Sequence, residues 1–153
     1  MIMDKRESCR AIIFKDNKMV TMYREKNGRV YYTFPGGGMD EGETVNECVT
    51  REVIEEFGMT VEPIREVYTY EDEKTYQHFV LCDWVSGEFG TGVGEEFQGD
   101  ASRGYYEPRL VELEKLEEIP LMPPEAATML AHDLKEFGTS LDANKKHIEG
   151  TIV

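Results

Sequence analysis

The alternation of apolar and polar residues predicts β-hairpins in the first quarter of the chain. Residues 8–14 form a mostly apolar run typical of a buried strand, and Asp16-Asn17 is a turn signal. Residues 18–24 alternate in polarity and are predicted to be the hairpin partner of that strand. Asn27-Gly28 is the strongest short hairpin signal in the chain, and it leads into a third predicted strand over residues 29–34.

The period changes from that of a strand to that of a helix after Pro35 and the three glycines that follow it. Thr44 is the predicted N-cap, because Glu47 stands three residues later and completes a capping box. Apolar residues then recur at helical spacing, namely Val45, Val49, Val53 and Phe57. Gly58 is placed to end this helix.

The second half of the chain repeats the pattern of strands followed by a helix. Residues 64–71 and 75–85 are predicted to form another hairpin, and residues 105–113 a further strand. The Gly- and carboxylate-rich stretch 86–104 is predicted to be a long loop between them.

A second amphipathic helix is predicted from Pro123-Pro124, with Gly138 as its stop. Its apolar face is formed by Leu130, Leu134 and Phe137. The polar tail 139–153 carries no clear signal. These elements indicate a single domain over residues 1–153, with a core of about 8–138. The fold class is α+β, with a mixed sheet flanked by helices.

Charge and composition restrict the function classes. The chain has 153 residues and a net charge of −14, which argues against nonspecific binding to nucleic acid. A polyanionic substrate would need a bound divalent cation to invert the local field. No apolar run is long enough to cross a membrane, and the charged N-terminus lacks the centre of a signal peptide. We therefore expect a cytoplasmic protein that makes no membrane contact.

The three cysteines give no metal or disulfide pattern. Cys9, Cys48 and Cys82 are odd in number and widely spaced, and no CxxC pair exists. The sequence therefore predicts three reduced thiols, partly or wholly buried.

The chemistry is concentrated in the first predicted helix. Glu52, Glu55 and Glu56 lie at i, i+3 and i+4, so their carboxylates share one helix face. A like-charge pair at i, i+4 costs an isolated helix about 0.2–0.5 kcal/mol, and a cation between the carboxylates would turn that repulsion into binding. Oxygen ligands favour Mg²⁺, Mn²⁺ or Ca²⁺. The alternative is a solvated acidic surface.

Neighbouring residues extend this site. Arg51 stands one turn before Glu55 and is expected to pair with it, which would orient a metal ligand. The glycine loop allows the backbone to approach a phosphate closely. Glu43 lies just before the helix and could contact the metal or its waters.

The spacing of these residues resembles the signature of the Nudix family, Gx5Ex7REUxEExGU. Gly37, Glu43 and residues 51–59 match every position, with Met59 as a mild variation at the last apolar position. The resemblance implies the Nudix fold, a mixed β-sheet sandwiched between α-helices. It also implies that Glu55 and Glu56 are metal ligands.

The resemblance implies further site roles. Glu52 would be a ligand or the base that activates water, Arg51 would orient the glutamates, and Gly37, with Gly38 and Glu43, would form the phosphate-side contacts.

The resemblance also implies a reaction. It indicates Mg²⁺- or Mn²⁺-dependent hydrolysis of a nucleoside diphosphate linked to another group, with a small nucleotide-type molecule as partner and a monomer or homodimer as assembly. Two alternatives stay open. One is a non-catalytic nucleotide-sensing module of the same fold. The other is an isomerase of isoprenyl diphosphates, which the position of Cys48 and the lack of a preceding histidine disfavour.

Other candidates lie outside the signature. Glu95 and Glu96, in the loop 86–104, are candidate further ligands or the general base. Candidate stacking platforms for the base are Tyr31, Tyr32, Phe34, Tyr68, Tyr70 and Tyr76, although core packing is the commoner role of strand aromatics. Candidate phosphate contacts are Arg10, Arg24 and Arg29. The histidines His78, His132 and His147 show no ligand spacing and are assigned no role.

Overall fold

The computed structural model describes residues 5–90 and 104–151. In this part of the chain the strands are β1 (Arg6–Lys15), β2 (Lys18–Lys26), β3 (Arg29–Thr33), β4 (Gly36–Gly38), β5 (Met59–Glu71), β6 (Thr75–Gly87), β7 (Tyr105–Glu112), β8 (Leu121–Met122) and β9 (Lys146–Glu149). The α-helices are α1 (Val45–Phe57) and α2 (Pro124–Phe137). A 3₁₀ helix, Leu113–Glu118, connects β7 to β8.

The described strands form one mixed sheet in the order β8-β3-β2-β1-β6-β5-β9, with β4 paired to β1 and β7 paired to β2. The pairs β1/β6, β3/β8 and β5/β9 are parallel, and the others are antiparallel. The first half of β1 therefore lies between β4 and β6, while its end joins β2. This divergence places the glycine strand β4 beside the start of β1.

Local sequence accounts for the turns and for both ends of α1. Asn27 and Gly28 both have positive φ, 53° and 76°, as a tight hairpin of this type requires. The side chain of Thr44 accepts from the amide of Glu47, whose own side chain accepts from the Thr44 amide, so the capping box is present. Gly58 ends α1 in the left-handed conformation, with φ 71°.

The sheet has a helix on each face, as predicted. Helix α1 packs on one face through a buried cluster that contains Ala11, Val20, Val49, Val53, Phe57 and Val80. Helix α2 packs on the other through a cluster that contains Ile12, Met19, Phe34, Tyr68, Phe79 and Leu130. No helix among residues 5–90 and 104–151 is long and apolar enough to cross a membrane.

Three strands lie where the sequence indicated none: β4, β8 and β9. Their segments are short or polar, and long-range pairing rather than local pattern makes them strands. The tail joins the sheet because β9 pairs with β5, and because Lys146 forms an ion pair of 2.7 Å with Asp133 of α2. Asp133 is fully buried and also accepts from the Tyr68 hydroxyl at 2.6 Å. On α2, Phe137 is 40% exposed rather than part of the core face.

The prediction of three reduced thiols was wrong for two of them. Cys9 of β1 and Cys48 of α1 form a disulfide, with Cα atoms 6.2 Å apart, and both are fully buried. The fold brings them together because α1 packs across β1. Cys82 is a free, buried thiol, and burial raises its pKa to about 12.

Candidate active site

A buried carboxylate joins α1 to the glycine strand. Glu56 is 3% exposed, and its Oε1 accepts a hydrogen bond of 2.7 Å from the amide of Gly36. Burial of a carboxylate is costly unless its charge is compensated. This contact holds the end of α1 against β4, so that Glu56 lies directly beside the loop that the sequence associated with phosphate.

A second carboxylate packs on the next glycine. A Cβ atom at Gly37 would lie 2.6 Å from Glu52 Oε1, closer than real Cβ contacts. The Glu52 side chain is 14% exposed. Glycine at this position therefore leaves the space that the Glu52 carboxylate occupies.

Arg51 connects the loop and the glutamates. Its Nε and Nη2 donate to the two carboxylate oxygens of Glu43, at 2.7 and 2.9 Å. Its Nη1 donates to Glu52 at 3.1 Å and to Glu55 at 3.3 Å, and Nη2 also donates to the Gly38 carbonyl at 3.1 Å. The planar fork of a guanidinium can make these contacts together, whereas an ammonium cannot.

Arg51 and Glu43 shift each other's pKa. The hydrogen bonds from Arg51 lower the pKa of Glu43 to about 2, and Glu43 in turn raises the pKa of Arg51. Glu43 is therefore a charged anchor for Arg51, a different contact from the metal or water contact that the sequence suggested. The expected pair of Arg51 with Glu55 is present, but at 3.3 Å it is longer than the contacts of Arg51 with Glu43 and Glu52.

The glutamates on the shared helix face differ in environment. Glu56 is buried, Glu52 is mostly covered, and the Glu55 side chain is 46% exposed. The exposure of the three carboxylates therefore decreases from Glu55 to Glu52 to Glu56. Helical spacing alone does not predict these differences. Glu95 and Glu96, the other candidate carboxylates, lie outside the described residues.

Arg10 lies closer to this site than its place in an apolar strand suggested. Its Nη1 donates to the carbonyls of Phe34 and Gly36, at 3.1 and 3.4 Å. Burial lowers the pKa of Arg10 to about 10, while the charges of Glu56 and Glu52 act in the opposite direction. The signal was available in the sequence, since a charged residue inside a buried strand needs a specific partner.

The remaining candidates separate into core and surface. Phe34, Tyr68 and Tyr70 are buried core residues, whereas Tyr32 is only partly buried. Arg29 lies over the Tyr31 ring at 5.4 Å. Arg24 lies over the Tyr106 ring at 4.5 Å, and Tyr76 contacts the His78 ring, with centroids 5.2 Å apart.

A second group of potential metal ligands lies elsewhere, at the edge where β5 meets β9. Ligand atoms of Glu71, His147 and Glu149 lie within 4.8 Å of one another. Glu71 is already paired with Lys5, and His147 with Glu149 at 2.9 Å. These contacts explain the cluster as polar pairs on the protein surface.

Comparison with known proteins agrees with the geometry. A family model described as NUDIX domain matches residues 4–137. A curated relative from Methanocaldococcus jannaschii, named ADP-ribose pyrophosphatase, is 35% identical over 88 residues, which are 53% of this chain and 52% of that protein. The chain thus aligns with about half the length of this relative.

Solved structures share the fold. A structure described as an ADP-ribose pyrophosphatase from Streptococcus suis is 25% identical, with a TM-score of 0.64, and the match covers 94% of this chain and 98% of that one. A NUDIX hydrolase from Nitrosomonas europaea has a TM-score of 0.72 at 18% identity, over 97% of this chain and 81% of that one. These likenesses confirm the predicted mixed sheet between helices.

Proposed function

Because the chain belongs to the NUDIX family, we propose that it is a divalent-metal-dependent pyrophosphohydrolase. Its substrate would be a nucleoside diphosphate linked to another group, cleaved at the phosphoanhydride bond. The observation that carries this proposal is the arrangement around Gly36 and Gly37. The Glu56 carboxylate binds one amide there, the Glu52 carboxylate packs on the other glycine, and Arg51 ties both the loop and the glutamates together.

The donor set fits a hard cation. Glu52, Glu55 and Glu56 offer only carboxylate oxygens, which suit Mg²⁺ or Mn²⁺ better than softer metals. A bound cation would supply charge neutralisation for the diphosphate and make an attacking water more acidic. It would also compensate the charge of Glu56 at its buried position.

The chain's own residues would orient and activate the reactants. Arg51 holds Glu52 and Glu55 in place, and Glu43 holds Arg51. Arg10, beside the carbonyls of Phe34 and Gly36, is the cation that we propose to face the diphosphate. A carboxylate would accept the proton of the attacking water, with Glu52 as the first candidate and Glu95 or Glu96 as the alternatives.

Similarity to named proteins suggests which substrates to test first. The Methanocaldococcus jannaschii relative and the Streptococcus suis structure are both named for ADP-ribose. We therefore propose ADP-ribose as the first compound of a panel that also includes other nucleoside diphosphate sugars and dinucleoside polyphosphates.

The test measures hydrolysis of each compound in the panel with and without a divalent metal. We expect hydrolysis of at least one compound of the panel, its loss with EDTA, and its return with Mg²⁺ or Mn²⁺. Glu56→Gln keeps an acceptor for the Gly36 amide but removes the charge, so kcat should fall at least about 100-fold. The matched control is Glu41→Gln, at an exposed position in the loop between β4 and α1, and it should keep wild-type kcat.

The same assay decides between catalysis and sensing. Full turnover by metal-free protein would refute the metal site. A protein that binds nucleotides from the panel but turns none of them over would favour the non-catalytic sensing module.

A further inference from the structure

A group of partly exposed aromatic side chains lies on β2, β3 and β7. Apart from Tyr32, none of them was a sequence-based candidate. Tyr23 pairs with Tyr32 across to β3 and with Glu107 across to β7. Directly opposed residues of antiparallel strands share a face, as do residues two apart on one strand. Four side chains on this face form what we call the tyrosine platform: Tyr23, Tyr32, Tyr105 and Arg109.

The platform is internally braced. The Tyr23 ring centroid lies 5.3 Å from that of Tyr32 and 6.2 Å from that of Tyr105, in edge-on geometry. The guanidinium carbon of Arg109 lies 3.7 Å from the Tyr23 centroid. Its Nε donates to Glu107 at 2.6 Å and its Nη1 to the Tyr32 hydroxyl at 3.2 Å. These bonds hold a planar cation against an aromatic ring.

The platform is accessible, unlike the core aromatics. Tyr105 is 49% exposed and the Arg109 side chain is 39% exposed. Planar side chains that remain exposed while fixed by neighbours offer surfaces on which a nucleobase can stack. Arginine guanidinium planes and tyrosine rings are both used for this purpose in nucleotide-binding proteins.

The platform also lies within reach of the candidate active site. Tyr32 is four residues from Gly36, a distance of at most about 13 Å in an extended chain. Tyr32 packs against the same core cluster as Phe34, and Arg10 donates to the backbone carbonyls of Phe34 and Gly36. A cation therefore lies along the path from the platform to the glycine strand, where the phosphates of a nucleotide would pass.

From these contacts we infer that the tyrosine platform binds the nucleobase of the substrate, an inference that rests on the proposed function. The base stacks on the Arg109 guanidinium, which itself lies on the Tyr23 ring, and the diphosphate extends past Arg10 to the glutamates. Stacking tolerates every base because each has an aromatic face. The platform therefore sets affinity for nucleosides and discriminates weakly among bases.

The test uses AMP and ribose 5-phosphate as probes, with EDTA present so that turnover plays no part. We expect wild-type protein to bind AMP more tightly than ribose 5-phosphate. Tyr23→Ala and Arg109→Gln should each weaken AMP binding about 10-fold and leave ribose 5-phosphate unchanged. Tyr23→Phe should retain AMP binding, since it keeps the ring and loses only the hydroxyl that donates to Glu25.

The matched control is Tyr106→Ala, the neighbour of Tyr105 on the opposite face of β7. It should bind AMP as the wild-type protein does, and thermal unfolding of each variant will show that it folds. If Tyr23→Ala and Arg109→Gln both bind AMP normally, or if wild-type protein prefers AMP to ribose 5-phosphate no more than these variants do, the platform is refuted. A platform that passes this test in a protein without turnover would separate failure of the proposed function from failure of this inference.

Discussion

Gly36 and Gly37 are neighbours in one short strand, yet they exclude a side chain for different reasons. Gly36 has φ 142°, and a Cβ there would lie 2.0 Å from the carbonyl oxygen of Cys9. That obstacle is backbone and cannot move cheaply. At Gly37 the obstacle is the carboxylate of Glu52, which is the end of a flexible side chain.

Alanine should therefore impair catalysis at Gly37 and stability at Gly36. Gly37→Ala should lower kcat at least about 10-fold, because it displaces the Glu52 carboxylate, while the free energy of unfolding changes by less than about 1 kcal/mol. Gly36→Ala should lower the free energy of unfolding by about 3 kcal/mol or more. Urea unfolding and steady-state kinetics measure both, and a Gly37→Ala enzyme with normal kcat would contradict the proposed position of Glu52.

Arg51 is a residue whose contacts need its shape as well as its charge. Arg51→Lys keeps the charge but loses the fork that binds Glu43, so kcat should fall at least about 10-fold and stability by about 1 kcal/mol. Glu43 has its pKa lowered to about 2, so the stabilisation from the pair is present above the ordinary value of 4.5 and lost as pH falls toward 2.

The pH dependence provides the check on this pair. The stability difference between Arg51→Lys and wild type should be largest at neutral pH and should shrink toward pH 2, as followed by urea unfolding. A Glu43→Gln, Arg51→Lys double variant should lose less stability than the sum of the single variants. Simple additivity would mean that the two side chains act separately.

At the scale of elements, His78 connects three strands. From β6 its Nε2 contacts Glu7 of β1 at 2.6 Å, and its Nδ1 contacts Glu66 of β5. Burial opposes the charged imidazole, but the two carboxylates outweigh it and raise the pKa of His78. Lys145 also approaches Glu66, at 3.7 Å.

A raised pKa predicts a stability that depends on pH in a defined direction. The stabilisation from protonated His78 is fully present below the ordinary value of 6.5 and is lost as pH rises through the higher folded value. His78→Gln should lower stability at pH 6 by about 1 kcal/mol and have less effect at alkaline pH. The control is His132→Gln on the exposed surface of α2. An equal loss of stability at both pH values for His78→Gln would contradict a contribution from the protonated His78.

For the molecule as a whole, the disulfide constrains the unfolded chain. It joins Cys9 to Cys48 across 39 residues, and a loop of that size corresponds to about 4 kcal/mol in the chain-entropy model. The loop contains both early hairpins, the glycine strand and the start of α1. Reduction should therefore destabilise the entire domain rather than one element.

Reversible urea unfolding with and without dithiothreitol tests this expectation. We expect the reduced protein to be less stable by about 3–4 kcal/mol, and Cys9→Ser to be insensitive to the reductant. Cys82→Ser should retain the full response, because Cys82 is a free thiol. No response in wild-type protein would mean that the thiols are reduced, as the sequence alone predicted.

Local patterns in the sequence predicted most of the elements and the family. Hairpin turns, the capping box and the helical spacing of Glu52, Glu55 and Glu56 are local properties that a linear pattern records. The same is true of the signature that runs from Gly37 to Met59. The turns, the capping box and the glutamate spacing each depend on residues only a few positions apart. The signature spans a longer stretch but is still one continuous segment.

Which side chains meet depends on the tertiary fold. The burial of Glu56, the position of Arg10, the Cys9–Cys48 bond and the strand β9 all depend on pairing between distant segments. The tyrosine platform likewise needs β7 beside β2, a contact between residues more than 80 positions apart. Periodicity shows which face of an element is apolar, but the register and the neighbours of each strand are decided by packing across the whole sheet.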